Sequence, residues 1–242
     1  MESHTLIGSL TNSMKISVII PAHNEEKNIG DSLKAILAQD YPDYEVIVVD
    51  NNSTDGTAEI ARPFNVKVVH ESNKGTMWAC ERGRKEAVGE LVVRMDADCL
   101  PEKDWLSIGA SYFSKETVVA ASGPYDYYDA AYVFRYASLL FQIIIYGIVS
   151  IVIQKPFRYG GIMIGGNSFI RTKTLESIGG FNTAITFYGD DTEIAKRLAK
   201  KGYVIFTPNL TLKTSWRRFE REGIIKLQMR YLYHFFKQLF KK

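Results

Sequence analysis

Short apolar runs alternate along the chain with segments whose apolar residues recur at helical spacing. The runs fall at 15–20, 45–49, 66–69 and 91–95, and each has the length of a strand buried on both faces. After the first run, Ile29, Leu33, Ile36 and Leu37 recur every three or four positions, as on the buried face of a helix. This alternation predicts an α/β fold with a largely parallel sheet and helices on both faces.

Polar loops follow three of the predicted strands, at 21–26, 50–56 and 96–98. Ligands of open α/β sheets bind at the carboxyl edge of the strands. Right-handed crossovers place the loops that follow parallel strands along that same edge. We therefore expect the three loops to converge on one crevice, although they lie far apart in the sequence.

Two carboxylates, Asp96 and Asp98, stand one residue apart at the end of the run 91–95. Alternate residues of an extended chain point the same way, and hard oxygen ligands suit Mg²⁺ or Mn²⁺ that already carries a nucleotide's phosphates. Taken alone, such a pair is usually a solvated turn and only seldom a metal site. The order of the motifs around it favours the metal.

That ordered set resembles the GT-A fold glycosyltransferases of family 2, which are inverting enzymes that use nucleotide-diphosphate sugars. The resemblance covers roughly Lys15 to Arg218. Its motifs are VIIPAHNE at 18–25, VVDNNSTDGT at 48–57, Asn73-Lys74-Gly75, Asp96-Ala97-Asp98, Gly165-Gly166-Asn167 and Tyr188-Gly189-Asp190-Asp191. The resemblance implies a Rossmann-like, mixed but mostly parallel sheet. It also implies a glycosyltransferase with a divalent cation, Mg²⁺ or Mn²⁺, as cofactor.

On the donor side, the resemblance implies that Pro21, Ala22 and Glu25 cradle the nucleoside and its ribose. Asp50 would accept a hydrogen bond from the base, which favours uridine. The alternative is that Asp50 is a turn former, since short polar side chains bond local backbone amides.

Further along, the resemblance implies that Asp98 coordinates the metal, with Asp96 nearer the ribose and sharing the metal indirectly. The cation would stabilise negative charge on the departing diphosphate. Lys74, beside Gly75, would assist, although these two residues also fit a solvated turn before a helix.

Asp190 and Asp191 precede a helical pattern. Asp190 with Glu193 fits a capping box at the helix start, and that leaves Asp191 unexplained. The resemblance implies that Asp191 is the general base, which removes a proton from the acceptor hydroxyl. With an anionic phosphate as acceptor, Asp191 would only position it.

Glycines stand where backbone passes close to a ligand. Gly165, Gly166 and Asn167 would accordingly line the acceptor side, or else form a tight turn.

One segment departs from the family pattern. Thr214-Ser215-Trp216-Arg217-Arg218 stands where some relatives have Gln-x-x-Arg-Trp or a late histidine that completes the metal shell. The difference argues against a processive polymer synthase. Arg217 or Arg218 would suit the diphosphate, whose oxygens match a guanidinium. A solvated basic turn fits these two residues equally well.

An uncharged apolar stretch runs from Tyr136 to Ile153, within an insert at about 131–156. About twenty apolar residues are needed to span a bilayer. A single crossing would also place the donor crevice and the acceptor loop on opposite sides of a membrane. We therefore favour a helix lying in the membrane surface over a buried core or dimer-forming helix.

The chain end, 219–242, predicts a basic amphipathic helix. Nine basic and two acidic residues lie between Lys213 and Lys242, in a chain of net charge +3. An apolar stripe and a basic face recur at helical spacing, as in helices that lie on an anionic membrane. The alternative is a helix whose stripe packs on the core. Nucleic acid is disfavoured, because no recognition motif accompanies the charge. The stripe comprises Ile225, Met229, Leu232, Phe236 and Leu239.

At 242 residues the chain suits one catalytic domain, 14–218, after a flexible tail at 1–13. Two cysteines do not form a disulfide framework, so a reduced cytoplasmic setting is expected. The favoured function is a peripheral or monotopic glycosyltransferase on the cytoplasmic face of a membrane. It would pass a sugar from a nucleotide-diphospho-sugar to a lipid-linked acceptor. A soluble glycan acceptor, or a non-catalytic nucleotide-sugar-binding membrane partner, is the alternative.

Overall fold

The computed structural model describes residues 13–154, 160–185 and 188–240. The chain forms a seven-stranded sheet of order β3-β2-β1-β4-β7-β5-β8 and a two-stranded sheet of β6 and β9. In the large sheet only β7 runs antiparallel to its neighbours, which confirms the expected mixed, mostly parallel sheet. The strands are β1 Ile16–Ala22, β2 Tyr44–Asp50, β3 Lys67–His70, β4 Leu91–Met95, β5 Val118–Ser122, β6 Tyr125–Tyr127, β7 Asn167–Arg171, β8 Tyr203–Phe206 and β9 Leu212–Thr214.

Helices cover both faces of the large sheet. They are α1 Ile29–Leu37, α2 Thr57–Ala61, α3 Thr76–Glu86, α4 Trp105–Ser111, α5 Tyr132–Phe141, α6 Gly147–Gln154, α7 Thr172–Ser177, α8 Asp190–Ala199, α9 Arg217–Glu222 and α10 Ile224–Phe240. Along β1, Val18 and Ile20 pack with α1, α2 and α4, whereas Ile19 packs with α3 and α8. The continuous apolar runs of the sequence follow from this burial on both faces.

The carboxyl edge of the sheet is where the predicted loops meet. β1, β2 and β4 are parallel and end side by side at Ala22, Asp50 and Met95. β7 runs the opposite way, with Asn167 opposite Met95, so the loop before β7 reaches the same edge. The small sheet joins this edge through Leu100, which bridges to Lys213 in β9.

The apolar helix begins at Tyr132, close to the predicted start of the insert at about 131 and before the uncharged stretch that starts at Tyr136. α5, a π-helical stretch at Gln142–Tyr146 and α6 form one run, and we call Tyr132–Ile153 the apolar helix. Among the described residues, it alone has the length and composition to cross a membrane. Gln142 is buried and exchanges hydrogen bonds with the backbone of Tyr125 (2.9 and 3.0 Å). The helix therefore lies against the domain on one side and exposes apolar residues on the other.

α10 packs on α8 through one face. Leu227 is fully buried, and the guanidinium of Arg230 donates to Glu222 and to the hydroxyl of Tyr188. Four of the five predicted stripe residues are exposed, and they are Ile225, Met229, Leu232 and Phe236. The alternative of a stripe packed on the core is therefore wrong for these four residues. The side chain of Leu239, most of the tail (1–12) and residues 155, 156, 241 and 242 of the predicted segments lie outside the described residues.

Candidate active site

A cleft of about 550 Å³ lies at the carboxyl edge of β1, β2 and β4, and we call it the donor cleft. Its wall opposite the sheet comes from the end of β9 and from α9. The residues around it include Pro21, Ala22, Glu25, Asn51, Asp96, Asp98, Thr214, Arg217 and Arg218. The three predicted loops therefore do converge on one crevice.

The first two loops are held together by side-chain hydrogen bonds. The backbone N–H of Glu25 donates to Thr57 Oγ1 (2.8 Å), and that of Thr54 donates to Asn24 Oδ1 (2.8 Å). Asn24 and Asn52 adopt positive φ angles of 57° and 58°, which asparagine tolerates better than most residues. The loops thus form a preorganised rim beside Pro21 and Ala22.

Asp50, Lys74 and Gly75 do not line the donor cleft, in contrast to the expectation for the nucleotide site. The carboxylate of Asp50 accepts from the N–H of Ser53 (3.3 Å) and lies 3.2 Å from His70 Nδ1. The neighbouring Asn51 does line the cleft. Its amide donates to the carbonyls of Glu71 and Asn73 and accepts from the N–H of Gly75 (2.8 Å). Asn51 therefore fixes the loop that carries Lys74.

Asp98 lies deep in the donor cleft. Its carboxylate accepts from Thr214 Oγ1 (3.1 Å) and from the guanidinium of Arg217 (3.0 Å). Burial and the negative charge of Asp96 raise the pKa of Asp98 to about 6, against the opposing effect of Arg217. Asp96 accepts a hydrogen bond from the hydroxyl of Tyr125 (3.0 Å).

These carboxylates fit a divalent cation that arrives with a diphosphate. Among the described residues, no three His, Cys, Asp or Glu side chains cluster closely enough to hold a metal by themselves. Mg²⁺ is commonly bound by one or two carboxylates together with substrate phosphates, not by a cage of protein ligands. Asp98 and Asp96 both face the donor cleft and supply hard oxygen donors of that kind.

A second cavity of about 410 Å³ adjoins the donor cleft, and we call it the acceptor cavity. Its polar end holds Asp190 and Asp191 at the start of α8, with Gly165 and Gly166 beside them. Its apolar walls come from the apolar helix and α10. The wall residues include Phe141, Ile145, Val149, Leu232, Phe235 and Phe236.

The capping box predicted for Asp190 and Glu193 is wrong. α8 begins after Gly189, which has a φ of 84°, and no side chain caps it. Asp190 instead forms an ion pair with Arg94 (2.6 Å), and Glu193 pairs with Arg197 (2.9 Å). Asp190 is already the first residue of the helix and not its N-cap, and each of the two carboxylates forms an ion pair with an arginine instead.

Asp191 points into the acceptor cavity. Burial and the adjacent charge of Asp190 raise the pKa of Asp191 to about 7, and Arg94 opposes this only in part. Its carboxylate accepts from the N–H of Thr192 (2.7 Å). A carboxylate with a raised pKa beside a cavity is suited to accept a proton near neutral pH.

Arg94 is the residue of this site that the sequence reasoning missed. It is buried within β4, and its guanidinium lies 2.6 Å from Asp190 and 3.8 Å from Asp96. The sequence does contain a signal for it, which is an arginine inside the apolar run Leu91–Met95. A buried arginine is rare unless it is paired, so such a residue indicates a buried carboxylate partner. Arg94 connects the donor motif to the acceptor motif.

The loop before β7 only partly matches its predicted role. Gly165 and Gly166 line the acceptor cavity, and their close approach is to the side chains of Arg94 and Asp96. Asn167 differs from the expectation, because its side chain is fully buried away from both cavities. It donates to the carbonyl of Leu210 (2.6 Å) and accepts from Trp105 Nε1 (3.2 Å), so it fixes the core.

The two cavities share a wall. Residues common to both include Asp96, Tyr125, Tyr127, Arg218 and Tyr231. Arg218 therefore faces both, and its guanidinium donates to the hydroxyl of Tyr231 (3.4 Å). A mostly parallel sheet with an acidic cleft at its carboxyl edge and a second acidic cavity beside it defines a GT-A type nucleotide-sugar-binding protein.

Comparisons with known proteins agree with that class. The model of glycosyl transferase family 2 matches residues 17–179, and a model described as the N-terminal domain of galactosyltransferase matches 149–220. The chain is 30% identical to glycosyltransferase AglE of Haloferax volcanii, over 78% of this chain and 62% of that one. It is 32% identical to the probable glycosyltransferase YdaM of Bacillus subtilis, over 92% of this chain and 58% of that one.

The fold is also similar to that of a solved glycosyltransferase structure. Mannosyltransferase PcManGT from Pyrobaculum calidifontis, in complex with GDP-Man and Mn²⁺, superposes with a TM-score of 0.76 at 27% identity. The match covers 96% of this chain and 66% of that one. The chain spans about three fifths of the length of AglE and of YdaM. The chain belongs to glycosyltransferase family 2.

Proposed function

We propose that this protein transfers a sugar from a nucleotide-diphosphate donor in the donor cleft to a hydroxyl group in the acceptor cavity. The observation that carries the proposal is the shared wall of the two cavities. Asp98 lies in one cavity, Asp191 lies in the other, and Asp96 and Arg218 face both. A donor and an acceptor bound on either side of that wall would meet between the two acidic motifs.

The reaction follows from the placement of the charges. The acceptor oxygen forms a bond to the anomeric carbon as the bond from that carbon to the diphosphate breaks, and Asp191 takes the hydroxyl proton. A divalent cation bound at Asp98 and Asp96 would supply positive charge to the leaving diphosphate. Arg218 faces both cavities and adds a fixed positive charge near the same point. Attack from the side opposite the diphosphate would invert the anomeric centre.

The acceptor we propose is lipid-linked. The acceptor cavity has a polar end at Asp191 and apolar walls made by the apolar helix and α10. The outer sides of these same helices expose large apolar residues, among them Ile148, Ile151, Ile225 and Met229. An amphiphile with its reactive group at Asp191 and its chain between the two helices would match this gradient of polarity.

We also propose that these helices lie in the cytoplasmic face of a membrane. Arg135, near the start of the apolar helix, pairs with Asp126 of the domain, and Tyr146 packs on Phe206 further along (5.8 Å between rings). Contacts along its length favour a helix lying flat on the membrane surface over one that projects through it. Basic residues beside the apolar face of α10 suit the anionic cytoplasmic leaflet.

Calorimetric titration of UDP and of GDP, each with Mn²⁺ and then with a chelator, tests the donor site. We expect one of the two nucleotides to bind in the presence of Mn²⁺, and Asp98→Ala or chelation to remove most of that binding. Lys27→Ala is the control, because Lys27 lies on the loop after β1 and outside the lining of the donor cleft. Failure of both nucleotides to bind would reject the transferase and favour a membrane-bound partner without catalytic activity.

The acceptor is tested separately with the nucleotide sugar that binds. Transfer of labelled sugar to membrane lipids extracted in organic solvent would support a lipid-linked acceptor. Transfer only to water-soluble glycans would replace it with the soluble-acceptor alternative and leave the donor site unchanged.

A further inference from the structure

Arg217 spans the mouth of the donor cleft and joins its two sides. The guanidinium donates to Glu25, on the loop after β1, and to Asp98, on the loop after β4. Asp98 Oδ2 lies 3.0 Å from Nη2 of the guanidinium and 3.1 Å from its Nε. The Arg217 side chain is 44% exposed, whereas the two carboxylates are largely buried.

The position of this guanidinium conflicts with metal binding. The guanidinium donates a hydrogen bond to Oδ2 of Asp98, and the hydroxyl of Thr214 donates one to Oδ1. Both oxygens of the carboxylate that suits a divalent cation are therefore engaged. A cation bound at Asp98 would also stand close to the positive charge of Arg217, and like charges at such a separation repel.

The backbone that carries Arg217 is fixed by Asp129. Its carboxylate accepts from Ser215 Oγ (2.6 Å) and from the N–H of Trp216 (2.6 Å). The ring of Trp216 stacks on Phe219 at 3.9 Å. Release of Asp98 thus requires only rotation of the half-exposed side chain, without movement of the segment.

We propose that Arg217 competes with the divalent cation for Asp98 and is released when a diphosphate offers it other anionic oxygens. The inference rests on the donor site proposed above. A guanidinium bonds carboxylate and phosphate with similar bidentate geometry, so the diphosphate can replace the carboxylates. Metal and donor therefore bind as a coupled pair, and each raises the affinity for the other by the same factor.

Electron paramagnetic resonance of free Mn²⁺ measures this coupling without an activity assay. Mn²⁺ is titrated into the wild type, Arg217→Gln and Arg62→Gln, each with and without the nucleotide that binds. For Arg217→Gln we expect Mn²⁺ alone to bind about tenfold more tightly than to the wild type, because a charge in direct contact is removed. We also expect the factor by which nucleotide strengthens Mn²⁺ binding to fall.

Arg62→Gln is the matched control. Arg62 is exposed, forms an ion pair with Glu59 (3.1 Å) and lines neither cavity. Its loss removes the same charge without contact to Asp98 or Glu25, so we expect a change below about twofold. Because Arg217 is itself half exposed, both variants should fold, which thermal melting verifies.

Three results would count against the inference or its basis. Unchanged or weaker binding of Mn²⁺ alone to Arg217→Gln overturns the competition, provided that the wild type binds nucleotide with Mn²⁺. An equal gain in Arg62→Gln overturns it too, because the effect would then be one of net charge. A wild type that binds no nucleotide with Mn²⁺ overturns the donor site itself.

Discussion

The guanidinium of Arg94 lies 2.6 Å from the carboxylate of Asp190, and both side chains are about nine-tenths buried. The pair joins β4, which ends in the donor motif, to the first residue of α8, which carries the acceptor motif. Gly165 packs directly on the guanidinium, so a third motif depends on the same side chain. The relative placement of Asp96 and Asp191 therefore rests on one buried ion pair.

Replacing Arg94 by methionine should be strongly destabilising. Removing one partner leaves the charge of Asp190 buried and uncompensated, and such losses cost about 3–5 kcal/mol. The free energy of unfolding is measured in urea. Arg62→Met is the control, because the Arg62–Glu59 pair is exposed, and we expect a loss below about 1 kcal/mol.

A double variant separates the buried charge from lost packing. Arg94→Met with Asp190→Asn removes both charges, and we expect it to be more stable than Arg94→Met alone. The double variant could instead be less stable than both Arg94→Met and Asp190→Asn, or Arg94→Met alone could cost under about 1 kcal/mol. Either result would show that the ion pair does not hold the donor and acceptor motifs together.

The sheet and its catalytic edge could be predicted because the signals are local. The apolar run Leu91–Met95 ends at Asp96, and a parallel sheet brings such strand ends together. Length and periodicity carry that information within a few residues. The mostly parallel sheet and the convergence of the loops followed from it, whereas the family was indicated by the ordered motifs at the strand ends.

What the sequence did not show were partners distant along the chain. A capping box explained Asp190 locally, yet its partner Arg94 is 96 residues away. Asn167 had the context of a ligand-binding loop, yet its amide bonds to Leu210, 43 residues away. Hydrogen-bonding capacity is visible in a sequence, but the choice of partner depends on tertiary packing.

Gly166→Ala should disrupt the donor cleft. A Cβ at Gly166 would lie 2.1 Å from the Asp96 carboxylate carbon and 2.3 Å from the Tyr125 hydroxyl, so both must move. We expect a loss of at least tenfold in Mn²⁺-dependent nucleotide affinity, measured by calorimetry. Overpacking of this kind also costs about 1–3 kcal/mol of stability.

Gly147→Ala is the matched control for that substitution. Gly147 lies in the apolar helix with nothing within 4 Å of an added Cβ. We expect unchanged nucleotide affinity and a small gain in stability, since alanine favours a helix by about 1 kcal/mol over glycine. Equal nucleotide affinity in the two variants would show that the close approach at Gly166 is unimportant.

Asp191→Asn should lower the rate of transfer by about 10²–10⁴ with a hydroxyl acceptor, because the general base is removed. Nucleotide binding should be unchanged, since Asp191 does not line the donor cleft. With a pKa of about 7, the wild-type rate should rise with pH up to about that value. A small effect of Asp191→Asn on the rate would indicate an acceptor that is already anionic, such as a lipid phosphate.

The same carboxyl makes stability depend on pH. Its pKa is raised in the folded state, so between about 4 and 7 the folded chain holds a proton that the unfolded chain has lost. The contribution of the protonated carboxyl to the free energy of unfolding is fully present below about pH 4 and is lost as the pH rises through about 7. We expect Asp191→Asn to flatten the fall in unfolding free energy over that range and to be the more stable protein at pH 8. If the unfolding free energies of the wild type and Asp191→Asn changed with pH in the same way, the raised pKa of Asp191 would be contradicted.

Membrane binding should depend on the exposed side of α10. Ile225 and Met229 are 81% and 62% exposed and do not line the acceptor cavity, so replacing both by serine leaves fold and site intact. We expect the wild type to sediment with anionic vesicles and the double variant to bind roughly tenfold more weakly, because apolar area that enters the interface is lost. Val88→Ser, also at an exposed apolar residue but after α3, should bind as the wild type does.

Binding of the double variant equal to that of the wild type would exclude α10 as the contact. Loss of wild-type binding on neutral vesicles, or at high salt, would show that the basic residues of α10 contribute as well.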